Sequence, residues 1–325
     1  MRRVVISEST GAIRVEDAVD SRPRLELPRE EQAPALSLAN KFAAYVALTK
    51  PRIIELLLIT TVPAMIVAER GLPPLTLVLL TLLGGTLSAA GANAINCYID
   101  RDIDEVMTRT RRRPIPSHRV EPGRALVFGT VLGAAAFLQL WSTVNLLSAV
   151  LATSALLFYV FVYTLFLKRT TPQNIVIGGA AGAMPVLVGW AAVAGTVELP
   201  ALVLFGIVFY WTPPHFWALS LRYERDYAAA GVPMMPVVYG IKETTKHILL
   251  YSFLLLAMCL AFFSVARMGL VYLLATLVLN AGFIALAVKL YRRPEARVAW
   301  NLFKYSIYYL ALLFASAAVD QLITA

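Results

Sequence analysis

The chain is 325 residues long, with 59% hydrophobic and 15% charged residues, against about 45–50% and about 25% in ordinary soluble domains. A mean hydropathy of +0.69 excludes a disordered chain and most soluble folds, and points to apolar surface that faces lipid. The net charge of +9 implies no nucleic-acid partner, because the basic residues lie between apolar runs, where they orient a chain across a membrane.

Residues 1–40 hold six Arg and seven Asp or Glu, with no apolar stretch long enough for a signal-peptide core, and read as a mobile cytoplasmic tail. Residues 41–325 form the membrane domain. Within it nine apolar runs recur, at approximately 51–68, 75–99, 125–144, 147–167, 174–195, 200–221, 247–266, 270–288 and 301–323. Each is close to the roughly 20 residues that cross ~30 Å of hydrocarbon at about 1.5 Å per residue. The expected fold class is all-α integral membrane, with nine transmembrane helices in a bundle. Gly84, Gly85, Gly178, Gly179 and Gly182 permit close helix contacts in such a bundle. Cys97 and Cys259 lie in different runs and supply neither a disulfide framework nor a zinc cluster.

With the tail in the cytoplasm, residues 100–124 and 222–246, together with Lys168, Arg169 and residues 289–297, fall on the cytoplasmic side, leaving only Arg70 and Arg267 opposite. Positive charge collects on that side, and an odd number of spans puts the C-terminus outside.

Two cytoplasmic segments carry the chemistry. The first follows the second span and contains Asn96, Asp100, Asp102 and Asp104, then Arg109, Arg111, Arg112 and Arg113. On a continuing helix, residues four apart advance about 40° around the axis and about 6 Å along it. Asn96, Asp100 and Asp104 therefore form one stripe, with Asp102 pointing away. A stripe of oxygen ligands suits Mg²⁺, which takes carboxylates together with substrate phosphates, and guanidinium forks downstream suit phosphate oxygens. The alternative is an ordinary hydrated loop whose charges fix topology. The second segment follows the sixth span and supplies Glu224, Asp226 and Lys242 on the same face. Two such sites four spans apart resemble two halves facing a shared cavity.

Before the second segment, Trp211-Thr212-Pro213-Pro214-His215-Phe216-Trp217 interrupts an apolar span. Consecutive prolines are expected to break the helix, which membrane depth tolerates only where the freed backbone is buried or lines a cavity. His215 is the sole histidine within a span, with structural, substrate-contact and proton-transfer roles all open. Lys168 and Arg169 end the fourth span, as topology anchors or as reach toward a diphosphate.

The chain resembles the UbiA superfamily of intramembrane prenyltransferases, and within it the haem-modifying branch. The resemblance runs from about residue 48 to the last span. It is carried by Thr49-Lys50-Pro51-Arg52, the Asn96/Asp100/Asp104 spacing, Met107 to Thr110 with Arg113-Pro114, Gly178-Gly179 with Gly182 and Met184-Pro185, the Trp211 to Trp217 string, and Asp226-Tyr227 followed by Ala230-Gly231-Val232-Pro233-Met234-Met235-Pro236. It implies helices around a central cavity and Mg²⁺ as cofactor. Asn96, Asp100 and Asp104 would form the first metal-diphosphate site and Asp226, with Glu224, the second. Arg109, Arg113 and Lys168 would stabilise the departing diphosphate, with Arg169, Lys242 and His215 as further substrate contacts. It also implies that farnesyl diphosphate and haem b are substrates, the haem no prosthetic group. A haem A synthase or oxidase-assembly protein is the candidate partner. The second segment departs from the wider superfamily, since Arg222 and Tyr223 stand where a second aspartate would complete an Asp-x-x-x-Asp. Another aromatic acceptor, or an ion or haem transporter, is the competing reading. A transporter would favour charged residues midway through several spans, and almost none occur.

Overall fold

The computed structural model describes residues 4–6, 13–15 and 37–324, apart from the side chains of 4–6, 13–15, 52, 53 and 55–58. Two units are distinguished, residues 1–37 and residues 38–325. The expectation of a mobile cytoplasmic tail over residues 1–40 lies largely outside the described residues. In the first unit, strands β1 (Val4–Ile6) and β2 (Ile13–Val15) pair antiparallel, with Val4 opposite Val15. This hairpin is the one departure from an all-α chain among the described residues.

The second unit is helical throughout. Its helices are α1 (Leu38–Thr49), α2 (Pro51–Glu69), α3 (Leu75–Ile99), α4 (Arg101–Val106), α5 (Pro122–Thr143) and α6 (Leu146–Leu157). A π-helical stretch, Phe158–Leu167, carries α6 directly into α7 (Lys168–Thr170). There follow α8 (Asn174–Ala194), α9 (Leu199–Arg222), α10 (Glu224–Ala229), α11 (Met235–Val265), α12 (Leu270–Arg292) and α13 (Ala296–Thr324). Eight of these helices, with α6 to α7 taken as one, are long and apolar enough to cross a membrane, and α2, whose Ile59–Glu69 segment is apolar, is the ninth helix of the set. Each apolar run read from the sequence coincides with one of them. Exposed Val127, Leu138, Trp141, Leu274, Val278 and Leu312 place apolar side chains on the outside, as a lipid solvent requires. The molecule is a multi-pass membrane protein.

Without a hydrophobic drive between helices in lipid, close backbone approach and buried polar contacts hold the bundle. Helices α3 and α5 meet at glycine, where a Cβ on Gly91 would stand 2.7 Å from the carbonyl oxygen of Gly129. Gly178 on α8 receives the ring of Tyr163. Between α9, α11, α12 and α13 the core is aromatic, with Phe262, Tyr272, Phe283, Tyr309 and Phe314 fully buried. Phe283 and Tyr309 stack edge to face at 5.0 Å, an arrangement worth about 0.5–1.5 kcal/mol beyond burial.

Two expectations are corrected. Helix α9 runs unbroken through Pro213 and Pro214, because proline's fixed φ of about −65° is itself helical and only the missing N–H and ring crowding oppose continuation. The helix of the seventh span starts after Gly240, earlier than 247, and a short helical turn from Met235 precedes it, with Pro236 in that turn, where a proline loses no intrahelical bond. The irregularity falls instead at Gly240, whose φ of 77° and ψ of 174° kink α11. Such a conformation is open to glycine and strained for any side chain.

Candidate active site

The site grows from the continuity of α3 into α4. The Asp100 amide bonds the Asn96 carbonyl at 2.9 Å, and the Asp104 amide bonds the Asp100 carbonyl at 2.8 Å. The helical path thus continues through the junction, and Asn96, Asp100 and Asp104 fall on one inward face. They are 3%, 0% and 1% exposed. Asp102 points outward.

Carboxylates this deeply buried need cations or donors, since an isolated buried charge is strongly unfavourable. Lys168 Nζ, brought in by the end of the π-helical stretch, bonds Asp100 Oδ2 at 2.5 Å. Asn96 Nδ2 donates to the same oxygen at 2.8 Å and to Thr164 Oγ1 at 3.0 Å. Arg113 donates to both oxygens of Asp104 at 2.8 and 2.9 Å. Burial opposes the charge on Arg113, yet the Asp104 carboxylate leaves its pKa raised. Asp100 Oδ1 is buried with no hydrogen-bond partner, and Arg169 Nη2 stands 3.8 Å from it.

The second segment closes onto the first. Thr108 Oγ1 donates to Asp226 Oδ2 at 2.6 Å, and the Arg109 amide reaches the same oxygen at 3.4 Å. Between the two loops lies a cavity of about 330 Å³ lined by Thr108, Leu221, Arg222, Tyr223, Glu224, Arg225 and Asp226. The guanidinium of Arg109 sits 5.6 Å over the Tyr223 ring. Tyr227 beside it is buried, and that burial raises its phenol pKa against the opposing charge of Arg109.

Arg169, Lys242 and His215 take different places relative to the row. Arg169 grips the outward Asp102 through two bonds of 2.7 Å, which with its charge holds that carboxyl down at about 2. Lys242 is exposed on α11 beyond the Gly240 kink, and among the described residues no hydrogen bond or ion pair joins its side chain to the acid row. His215 lies away from the row. Its ring stacks on Trp211 at 4.2 Å and Phe303 at 4.7 Å, and Nδ1 meets Ser306 Oγ at 2.6 Å. Both ring faces are covered.

Lys50 is the residue that reasoning from the acid spacing passed over. Its Nζ bonds Asn96 Oδ1 at 2.6 Å. Burial lowers its pKa from 10.5 to about 8, against the pull of Asp100 and Asp104. Its backbone sits at φ 53°, a left-handed conformation that is costly without glycine and that clusters at functional sites. Its signal in the sequence was the Thr49-Lys50-Pro51-Arg52 motif. Among the described residues no three His, Cys, Asp or Glu side chains are gathered tightly enough to form a metal cluster.

A membrane bundle with a buried acid row, cations bonded to it, and a second acidic loop folded over it has the chemistry to suit a small polyanion at the lipid boundary. The chain belongs to the UbiA prenyltransferase family, whose sequence model matches residues 57–314. It is 53% identical over 309 residues to the protoheme IX farnesyltransferase of Parafrankia sp. (strain EAN1pec), covering 94% of this chain and 98% of that relative. The fold is shared with digeranylgeranylglyceryl phosphate synthase, at 19% identity and a TM-score of 0.72 over 87% of this chain and 99% of that one. It is shared too with a UbiA homolog from Archaeoglobus fulgidus bound to GPP and Mg²⁺, at 15% identity and a TM-score of 0.57 over 84% and 99% of the two chains.

Proposed function

We propose that the protein transfers farnesyl from farnesyl diphosphate to a vinyl group of haem b, with addition of water, releasing diphosphate. The acceptor rests on the name of the relative at 53% identity. The observation that carries the chemistry is the buried row, in which Asp100 and Asp104 are held by Lys168 and Arg113 while Asp100 Oδ1 is left without a donor. A buried carboxylate oxygen with no partner calls for a missing cation, and an all-oxygen donor set suits a hard divalent metal. Asp100 and Asp104, with the side-chain amide oxygen of Asn96 and Asp226 from the facing loop, would hold Mg²⁺. Bound there, the metal supplies positive charge to diphosphate oxygens.

The chain's own residues do the rest. Lys168 and Arg113 are placed to exchange a carboxylate for phosphate oxygens as diphosphate enters, and Lys50 adds a third charge at the head of the row. Aimed at developing negative charge in a site with little water, these donors act where electrostatic stabilisation is worth most. The bond from farnesyl C1 to oxygen breaks with its electron pair going to diphosphate. The vinyl π electrons then form the new bond to C1, and the cation left beside the porphyrin ring is captured by water, which loses a proton. Asp226, tied to Thr108 and the Arg109 amide, keeps the second loop closed over the reacting groups. The segment Gly231-Val232-Pro233 belongs to this cover, with the Pro233 carbonyl bonded by Asn174 Nδ2 at 3.4 Å.

In this reading the protein sits in the cell membrane, with the tail and both acidic loops cytoplasmic and the C-terminus outside, and a haem A synthase or oxidase-assembly protein receives the product. Haem-dependent release of diphosphate from farnesyl diphosphate by purified protein tests it. Release is expected with Mg²⁺, and is lost with EDTA and in Asp100→Asn. Release that survives both treatments overturns the assignment of the row.

A further inference from the structure

A line of flat groups runs from inside the bundle to the cavity between the loops. Trp211 stacks on His215 with 18° between planes, His215 on Phe303 with 29°, and Phe303 on Trp300 at 5.1 Å with 23°. The guanidinium of Arg222 caps the column, 4.5 Å from the centre of the Trp300 ring. Helix α9 supplies Trp211, His215 and Arg222, and α13 supplies Trp300 and Phe303. The column is anchored at its inner end, where Trp211 Nε1 donates to the Ser306 carbonyl at 2.9 Å and His215 bonds the Ser306 hydroxyl. Arg222 also lines the 330 Å³ cavity that contains Thr108 and Asp226.

Among the described residues Arg222 makes no ion pair. Arg113 and Arg169 do, and Arg109 rests over the Tyr223 ring. Arg113 is bonded to Asp104 and Arg169 to Asp102. Arg222 is therefore held in place by a ring rather than by a carboxylate, with its donors open. A stacked guanidinium keeps its planar fork available for a carboxylate, in the bidentate geometry that lysine cannot reproduce. Of the acidic side chains lining the same cavity, Asp226 is already taken by Thr108 and the Arg109 amide.

We propose that Arg222, posted on the Trp300 column, binds a carboxylate side chain of the acceptor and so sets which way the acceptor enters the cavity between the loops. This rests on the haem reading, in which the acceptor carries two propionates on one edge and its reactive vinyl groups elsewhere. Diphosphate and propionate are then served by different cations. Lys50, Lys168 and Arg113 are bonded to the acid row, and Arg222 lines the cavity that Asp226 also lines. An acceptor anchored by its propionate is oriented before farnesyl is activated, which limits misplaced attack.

The test compares haem b with its dimethyl ester as acceptor, for wild type and Arg222→Gln in detergent. With haem b, Arg222→Gln is expected to raise the acceptor KM about 10- to 100-fold, the range of one charged hydrogen-bonded contact, with kcat within about twofold of wild type. With the dimethyl ester, wild type is expected to show the same raised KM and the variant no further loss. Arg222→Lys restores part of the affinity for haem b, since charge survives but the fork does not. Equal loss for acid and ester, or no loss for either, overturns the proposal. A wild type that farnesylates neither acceptor, while farnesylating a different aromatic compound, overturns the haem reading and this inference with it.

Discussion

Removing one half of the Arg113–Asp104 pair tests how the acid row is held. Asp104 is 1% exposed and Arg113 donates to both its oxygens. The Arg113 side chain is 23% exposed, so the pair is nearly but not wholly withdrawn from water. Arg113→Met leaves a buried carboxylate without its cation, and breaking such a pair costs about 3–5 kcal/mol. Asp104→Asn is milder, because Arg113 retains contact with solvent and the amide oxygen still accepts. About 1–2 kcal/mol, one lost charged contact, is expected. The double variant Arg113→Met with Asp104→Leu replaces the pair by apolar groups and should recover most of the stability, since buried pairs often do no better than a hydrophobic substitute. Thermal unfolding in detergent, followed by tryptophan fluorescence, reads the order. Wild type and the double variant should lie together, Asp104→Asn slightly below and Arg113→Met lowest. All three variants should lose prenyl transfer, the double variant included. An Arg113→Met protein as stable as wild type would refute the claim that this arginine neutralises the row.

Three further outcomes follow from the same geometry. Lys50 has its pKa lowered to about 8 from 10.5, so it is charged below about pH 8 and neutral above. Turnover should fall as pH rises through about 8, and Lys50→Arg should move that alkaline limb upward. Because the folded state releases this proton more readily than the unfolded one, Lys50 penalises stability below about pH 8 and the penalty fades between 8 and 10.5. A stability curve with no Lys50-dependent rise over that window would contradict its burial. His215→Ala should lose about 1–3 kcal/mol of stability through the broken stack, while leaving the absorption spectrum of bound haem unchanged. A shifted Soret band in that variant would make His215 a ligand of the haem iron. A tag fused at the C-terminus should be accessible from outside intact cells, and protection there contradicts nine crossings.

The spans were legible because lipid imposes one rule on every helix, and runs of about 20 apolar residues leave little choice. The acid row was legible for a local reason, since residues four apart share a helix face. What escaped was contact between residues distant in sequence. Nothing in the Asp226 segment announces that its carboxylate rests on Thr108, 118 positions away, and nothing near Trp300 announces Arg222. Lys242 was drawn in by proximity to Asp226, but the positive φ of Gly240 carries the chain off in another direction. The prolines of α9 misled because their local preference is to interrupt, whereas packing of Trp211 and His215 on α13 keeps the helix whole. Arg169 was grouped with Lys168 by adjacency. Neighbours on a helix are about 100° apart, and the second of the two bonds Asp102 while standing 3.8 Å from Asp100.

The most direct measurement is the mass of haem recovered after purified protein is incubated with haem b, farnesyl diphosphate and Mg²⁺. The account predicts haem carrying one farnesyl group plus one water, dependent on the metal and absent with Asp100→Asn. Unmodified haem from protein that is folded and binds farnesyl diphosphate would contradict it.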